Sequence, residues 1–215
     1  MAKKKKVRKK KDPNRWINKN KNIVVKSREE LWFSYWLDEC ENNGLIKSWL
    51  YESPTFQLSA SISYMNKNLD QSKSITCDFS IVWNEKYKNT LYYNCSNNDF
   101  KGLFIVHDIN CQEDSNVSYV DVKPVDERRN SSSVSFPYKR SWLLQSSGIW
   151  VQKVKPFGVS GRLGKGDIGN LFHITFTPTI LLNNKELLTD KGSFYAFVKW
   201  KITKFEDFKN SINGL

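Results

Sequence analysis

Val117-Ser118-Tyr119-Val120-Asp121-Val122-Lys123 is a short apolar run with one acid and one base two residues apart. It predicts a strand, and side chains alternate across a strand. Asp121 and Lys123 therefore share one face, and Val120 and Val122 share the other. A carboxylate able to hold a metal stands beside an ammonium able to orient a water. Upstream, Ile75-Thr76-Cys77-Asp78-Phe79-Ser80-Ile81-Val82-Trp83 predicts a second strand with Asp78 in its middle. An acid inside an apolar strand is costly unless it is paired or coordinated.

Outward from these strands the chain alternates in type. Ser27 is a good N-cap for a helix over 28–41, and Asn43-Gly44 supplies its stop. Leu31, Trp32, Tyr35 and Trp36 make one buried stripe on it, widened by Phe33 and Leu37. Phe56, Leu58, Ala60, Ile62 and Tyr64 alternate as a half-buried strand, and 66–73 is a polar turn region. Residues 84–118 form an excursion with strands at 90–93 and 103–106. Pro137 fits the first turn of a second helix running to about Ser147, and Gly148 stops it.

Residues 149–155 return as a strand, and 158–169 is a flexible loop carrying Arg162 and Lys165. A late strand pair follows at 172–182 and 194–202, with a short C-terminal helix around 206–212. This order predicts an α/β or α+β domain: a mixed central sheet, helices on its faces, and a β-rich C-terminal extension.

With 215 residues, 39% hydrophobic and 14% aromatic, the chain can build one well-formed core. It has no 18-residue apolar run, so no membrane span is expected. The net charge of +12 is unevenly spread: residues 1–26 hold twelve Lys or Arg against Asp12 alone, and the other 189 residues carry about +1. A nearly neutral body with a basic arm should bind polyanions in a salt-dependent way. Residues 1–22, rich in Lys and Asn, are expected to be disordered until bound. Trp16, beside Arg15, is a candidate for stacking on a base. Cys40, Cys77, Cys95 and Cys111 are widely spaced and lack histidine partners at zinc-ligand spacing. Reduced thiols in a cytoplasmic protein are expected.

The order Glu30, Asp78, Asp121-x-Lys123 resembles the PD-(D/E)xK nuclease superfamily, with its restriction-endonuclease-like fold. Within it, the chain is most similar to small phage nucleases of the Holliday-junction-resolvase or endonuclease I kind. The resemblance covers roughly residues 26–156. It runs through Ser27-Arg28-Glu29-Glu30, Gly44-Leu45-Ile46, Cys77-Asp78-Phe79, Asp121-Val122-Lys123 and a following helix with Tyr138, Lys139 and Arg140. It departs from the family in having Cys77 where a proline usually precedes the first acid. The 43-residue gap from Asp78 to Asp121 is also long, so part of it is an insertion. The implied organisation is a basic arm over 1–25 and a nuclease domain over 26–215. That domain has a core at 26–156, an insertion at 84–116 and a β-rich extension at 157–215.

By this resemblance Asp78 and Asp121 are metal ligands and Val122 lends its carbonyl. Glu30 holds a metal-bound water or a second metal, and Lys123 is the catalytic lysine. Mg2+, or Mn2+ in its place, is the implied cofactor. DNA is the implied partner, branched or structured, with a second copy of the chain. The expected setting is the cytoplasm of a phage-infected host. The basic candidates for holding DNA are Lys3, Lys4, Lys5, Lys6, Arg8, Lys9, Lys10, Lys11 and Arg15 in the arm, with Lys139, Arg140, Arg162 and Lys165 in the body.

These residue types suit phosphodiester hydrolysis. Attack on an already anionic phosphodiester needs cations to offset the developing charge, and magnesium takes oxygen ligands while keeping several waters. Plainer roles stand beside these. Ser27-x-x-Glu30 is also a capping box, Glu29 is an alternative helix ligand, and Asp121 with Lys123 could be an ordinary surface pair. The rival function is a non-catalytic nucleic-acid-binding or virion protein that uses the basic arm.

Overall fold

The computed structural model describes residues 16–87, 116–124, 131–157, 171–184, 187 and 203–213. Among these, a mixed α+β architecture is built on a four-stranded sheet. Its strands are β3 (Ile46–Tyr51), β8 (Phe79–Trp83), β9 (Val117–Val122) and β10 (Val151–Val154), in the order β10-β9-β8-β3. β3 and β9 run antiparallel to β8, and β10 is parallel to β9. A parallel pair needs a crossover, and here it is α2 (Ser131–Ser147).

The helix α1 (Arg28–Asn42) begins where the sequence predicts, with Ser27 Oγ accepting from the Glu30 N–H at 3.1 Å. It ends at Asn43-Gly44, where Gly44 takes a left-handed φ of +73°. Leu31, Trp32, Phe33, Tyr35, Trp36 and Leu37 are all buried, because the helix is covered on two sides. Phe33 meets Phe79 of the sheet edge-on at 5.0 Å, and Trp36 stacks on Phe176 at 5.4 Å. Six side chains of this size contribute on the order of 10 kcal/mol of burial.

The outer cover consists of α3 (Leu171–Ile174), α4 (Thr179–Asn183) and α5 (Phe205–Asn213). The strand expected over 172–182 is thus two short helices. Leu171 and Thr175 stand one turn apart, bonded from Thr175 N and Oγ1 to the Leu171 carbonyl, and Pro178 lacks the N–H that a strand ladder needs. The described part of the extension is helical, and its other expected strand, 194–202, lies outside the described residues. The C-terminal helix is where the sequence places it.

The segment between β3 and β8 departs most from expectation. It is one long ribbon in three lengths. β3 pairs with β8, β4 (Thr55–Ser59) with β7 (Lys73–Thr76), and β5 (Ile62–Tyr64) with β6 (Lys67–Asp70). The expected single strand over 56–64 is broken after Ser59, the turn region over 66–73 is largely strand, and Asp78 falls in the break between β7 and β8. The ribbon reverses at Met65-Asn66, both at positive φ (50° and 63°), as a tight hairpin turn requires.

Leu58, Ile75 and Cys77 pack with Phe136 and Leu143 of α2 and Val151 of β10. This second core lies on the sheet face opposite α1. α2 itself begins six residues before Pro137, so that proline lies inside the helix and not in its first turn.

Residues 16–25 are ordered, in place of the disorder expected there. β1 (Ile17–Asn18) and β2 (Ile23–Val24) form a hairpin. Asn18, fully buried, donates to Ser34 Oγ (2.9 Å) and Asp38 Oδ2 (2.8 Å) on α1. Trp16, half-buried, packs against the main core. No helix among the described residues is long and apolar enough to cross a membrane.

Candidate acidic site at the sheet end

The end of β3, the start of β8, the ends of β9 and β10 and the N-terminus of α1 meet at one end of the sheet. The register sets this up: Tyr51 pairs with Phe79, Phe79 with Val120, and Val122 with Val154. Asp78, one residue before β8, therefore lies beside the final residues of β9. Its Oδ2 accepts the Val122 N–H at 2.7 Å, across 43 residues of chain. Asp121 and Lys123 are both buried and form an ion pair on one face of β9, as alternation predicts.

Glu30 reaches the cluster from α1. Its Oε1 accepts from Ser27 Oγ (2.9 Å), and its Oε2 accepts from Tyr51 Oη (2.6 Å) and the Lys26 N–H (3.0 Å). The capping box thus closes one residue earlier than the usual form, on Lys26 and not on Ser27. Both carboxylate oxygens are engaged in holding the helix start to β3. Glu29 faces Arg28 at 3.6 Å. Tyr51 is the member of this group that sequence reasoning missed, because β3 was not recognised as a strand.

The electrostatics follow from crowding. Burial, then Asp121, then Glu30 push the Asp78 carboxyl up to about 7, against the pull of the Val122 N–H and Lys123. Burial also raises Asp121, with Lys123 opposing. Burial first, then Asp121 and Asp78, push the Cys77 thiol up to about 12, so this buried residue is an inert thiol next to the acids. Tyr51 is raised by burial and by its bond to Glu30. The cluster holds more negative charge than its own cations offset.

The basic candidates separate. Arg140 lies over the Trp150 ring at 3.9 Å and the Phe136 ring at 5.3 Å, and Lys123 lies over the Phe136 ring at 5.1 Å. Burial lowers the Arg140 pKa while Asp121 raises it, which puts this guanidinium in electrostatic reach of the site. Lys139 instead donates to the Ser74 carbonyl on β7 at 2.9 Å, fastening α2 to the ribbon. Lys3, Lys4, Lys5, Lys6, Arg8, Lys9, Lys10, Lys11, Arg15, Arg162 and Lys165 lie outside the described residues.

Among the described residues, no three His, Cys, Asp or Glu side chains form a group that could hold a metal ion. The side chains here whose chemistry suits a hard divalent cation are the carboxylates of Asp78 and Asp121, both oxygen donors. The pKa values of both are raised first of all by burial. Comparisons with protein-family models, with curated proteins and with solved structures return no match.

Proposed function

We propose that the chain is a metal-dependent DNA endonuclease of the PD-(D/E)xK kind, hydrolysing phosphodiesters in branched or otherwise structured DNA. The observation that carries the proposal is the convergence of Asp78 with Asp121 and Lys123. Two acids far apart in sequence, singled out with a lysine by residue type alone, meet at one buried sheet end through the Val122 bond. An ordinary structural acid pair supports this less well, because carboxylates left short of counter-charge destabilise the fold that holds them.

Mg2+ or Mn2+ would be held by Asp78, Asp121 and the Val122 carbonyl, and when bound it would offset charge on the reacting phosphate. The chain's own groups do the rest. Lys123 is held beside Asp121, where its ammonium orients the attacking water and meets charge developing on the phosphoryl oxygens. Arg140, held over Trp150, presents a cation from the α2 side to a neighbouring phosphate oxygen. Glu30 works from behind: tied to Ser27, Lys26 and Tyr51, it fixes the α1 start against the sheet end and adds negative charge to the site. The basic arm adds affinity that is independent of sequence and falls with salt.

The test is cleavage of plasmid and four-way-junction DNA by purified protein, with and without Mg2+ or Mn2+. The proposal requires metal-dependent cutting that Asp121→Ala abolishes. Wild type with no cleavage above that variant, while still binding DNA, would favour the non-catalytic binding function.

A further inference from the structure

Resting on the nuclease reading above, we propose that Phe136 is a positioning residue of its site: the face of one ring, shared by Lys123 and Arg140, sets where both cations stand. Lys123 Nζ lies 5.1 Å and Arg140 Cζ 5.3 Å from the centre of that ring. Both distances are inside the roughly 6 Å over which an aromatic face attracts a cation. The two cations arrive from different elements. Lys123 follows the last residue of β9, whereas Arg140 stands one turn after Phe136 on α2 and shares its helix face. Among the described residues, Phe136 is the ring that carries two cations; Trp32 carries Arg28, and Trp49 carries Lys21.

Packing alone does not call for this arrangement. Phe136 is 4% exposed and joins Leu58, Ile75, Leu143 and Val151 in the second core, where a leucine would serve as well. What an aliphatic side chain lacks is a negative ring face. Lys123 is buried with Asp121 as its ionic partner, and the buried Nε of Arg140 meets no acceptor. Arg28 and Lys21, by contrast, also pair with Glu29 and Glu41. Two like charges at one core repel each other unless something between them attracts both. The ring does this without adding a further carboxylate to a site already crowded with acids. Trp150, in the link between α2 and β10, takes the Arg140 guanidinium at 3.9 Å. The donors along the guanidinium edge are left for an anion such as a phosphodiester oxygen.

For the proposed reaction this gives two positive charges in fixed places, one beside Asp121 and one on α2. A bound phosphodiester meets them with no side chain to be drawn in first. A weaker ring face would let both cations drift, so the chemical step would suffer while the basic arm still held DNA.

The experiment replaces Phe136 with mono-, di- and trifluorinated phenylalanine, which keep its shape and progressively withdraw charge from the ring face. Urea melts without DNA or metal read the contact. Trifluorination should lower the folding equilibrium constant about tenfold in the wild-type background, and only about threefold in Arg140→Met, where one of the two cations is gone. Cleavage with Mg2+ reads the positioning. There kcat should fall stepwise along the series, about tenfold at three fluorines, with KM for DNA within about twofold. Equal losses of stability in the two backgrounds would make Phe136 an ordinary core residue and overturn the proposal. So would a kcat indifferent to fluorination. If wild type cuts no DNA, unequal losses in the melts leave Phe136 holding the two cations and sink the nuclease reading alone, whereas equal losses sink both.

Discussion

The Val122 main-chain N–H donates to Asp78 Oδ2, and the next residue along, Lys123, pairs with Asp121. Three consecutive residues at the end of β9 thus supply an acid, a backbone donor and a base to one point. The β8–β9 register alone brings Asp78 there, so the site is as rigid as the central sheet.

The Asp121–Lys123 pair is buried, so each partner depends on the other. Lys123→Met should lower stability by about 3 kcal/mol, because it leaves the buried acids without their cation, whereas Asp121→Asn should cost less, because Asp78 still faces Lys123 and loses a repulsive neighbour. The double variant Asp121→Asn/Lys123→Met should cost less than the sum of these two single variants in urea melts. Additive costs would mean that the two side chains are not coupled.

Asp78 predicts an unusual pH dependence. Its carboxyl is pushed up to about 7 in the folded chain, above the ordinary value of about 4 that it regains on unfolding. Between those values the folded state holds the proton more tightly, so the stability contributed at low pH is lost as pH rises through 4 to 7. Without divalent cations, the melting temperature should fall by about 5 °C or more between pH 5 and pH 8 relative to Asp78→Asn, whose profile should be flatter. Millimolar Mg2+ should recover wild type at pH 8 and leave the variant unmoved. A wild-type profile parallel to the variant's would sink this account.

Glu30 separates anchoring from chemistry. Tyr51→Phe removes one of three donors to its carboxylate and should cost about 1 kcal/mol. Glu30→Gln should cost about 1–2 kcal/mol, because the Lys26 N–H loses a charged acceptor. Its effect on cleavage should stay within about tenfold, against a loss of a hundredfold or more for Asp121→Ala. Equal losses of cleavage in the two variants would make Glu30 a ligand in its own right.

The hairpin at 16–25 redraws the border of the basic arm. Removing residues 2–15 should weaken DNA binding and flatten its salt dependence while leaving the melt unchanged. Removing residues 2–22 also deletes Asn18, leaving Asp38 and Ser34 without their buried partner. That truncation should lower stability by about 2 kcal/mol. A melt unchanged in both would mean that the hairpin contributes nothing to the fold.

What the sequence made legible was local and strongly patterned. Ser27 and Gly44 announced both ends of α1, and the alternation from Val117 to Lys123 announced which face carries the acid and the base. The strand Ile46–Tyr51 escaped notice because Lys47 and Ser48 break its alternation around a register shift in its pairing with β8. The helices at 171–183 were taken for a strand because large apolar residues in a buried segment satisfy either period. Asn18 gave no sign of burial: one Asn of several in a Lys- and Asn-rich stretch reads as solvated until its partners on α1 are known. Tyr51 could only be found once Glu30 was seen from the opposite strand.

The gap between β7 and β8 gives the ribbon a modular joint. Glu52 N–H to the Asp78 carbonyl (2.8 Å) and Cys77 N–H to the Pro54 carbonyl (3.1 Å) lock its two sides across the interruption. Beyond Ser59 and Lys73, where the ribbon leaves the core under α2, residues can be added to or taken from the β5–β6 tip in pairs without a register change passing into β8. The projecting part of the molecule is therefore free to vary in length and surface while Asp78 stays where Val122 holds it.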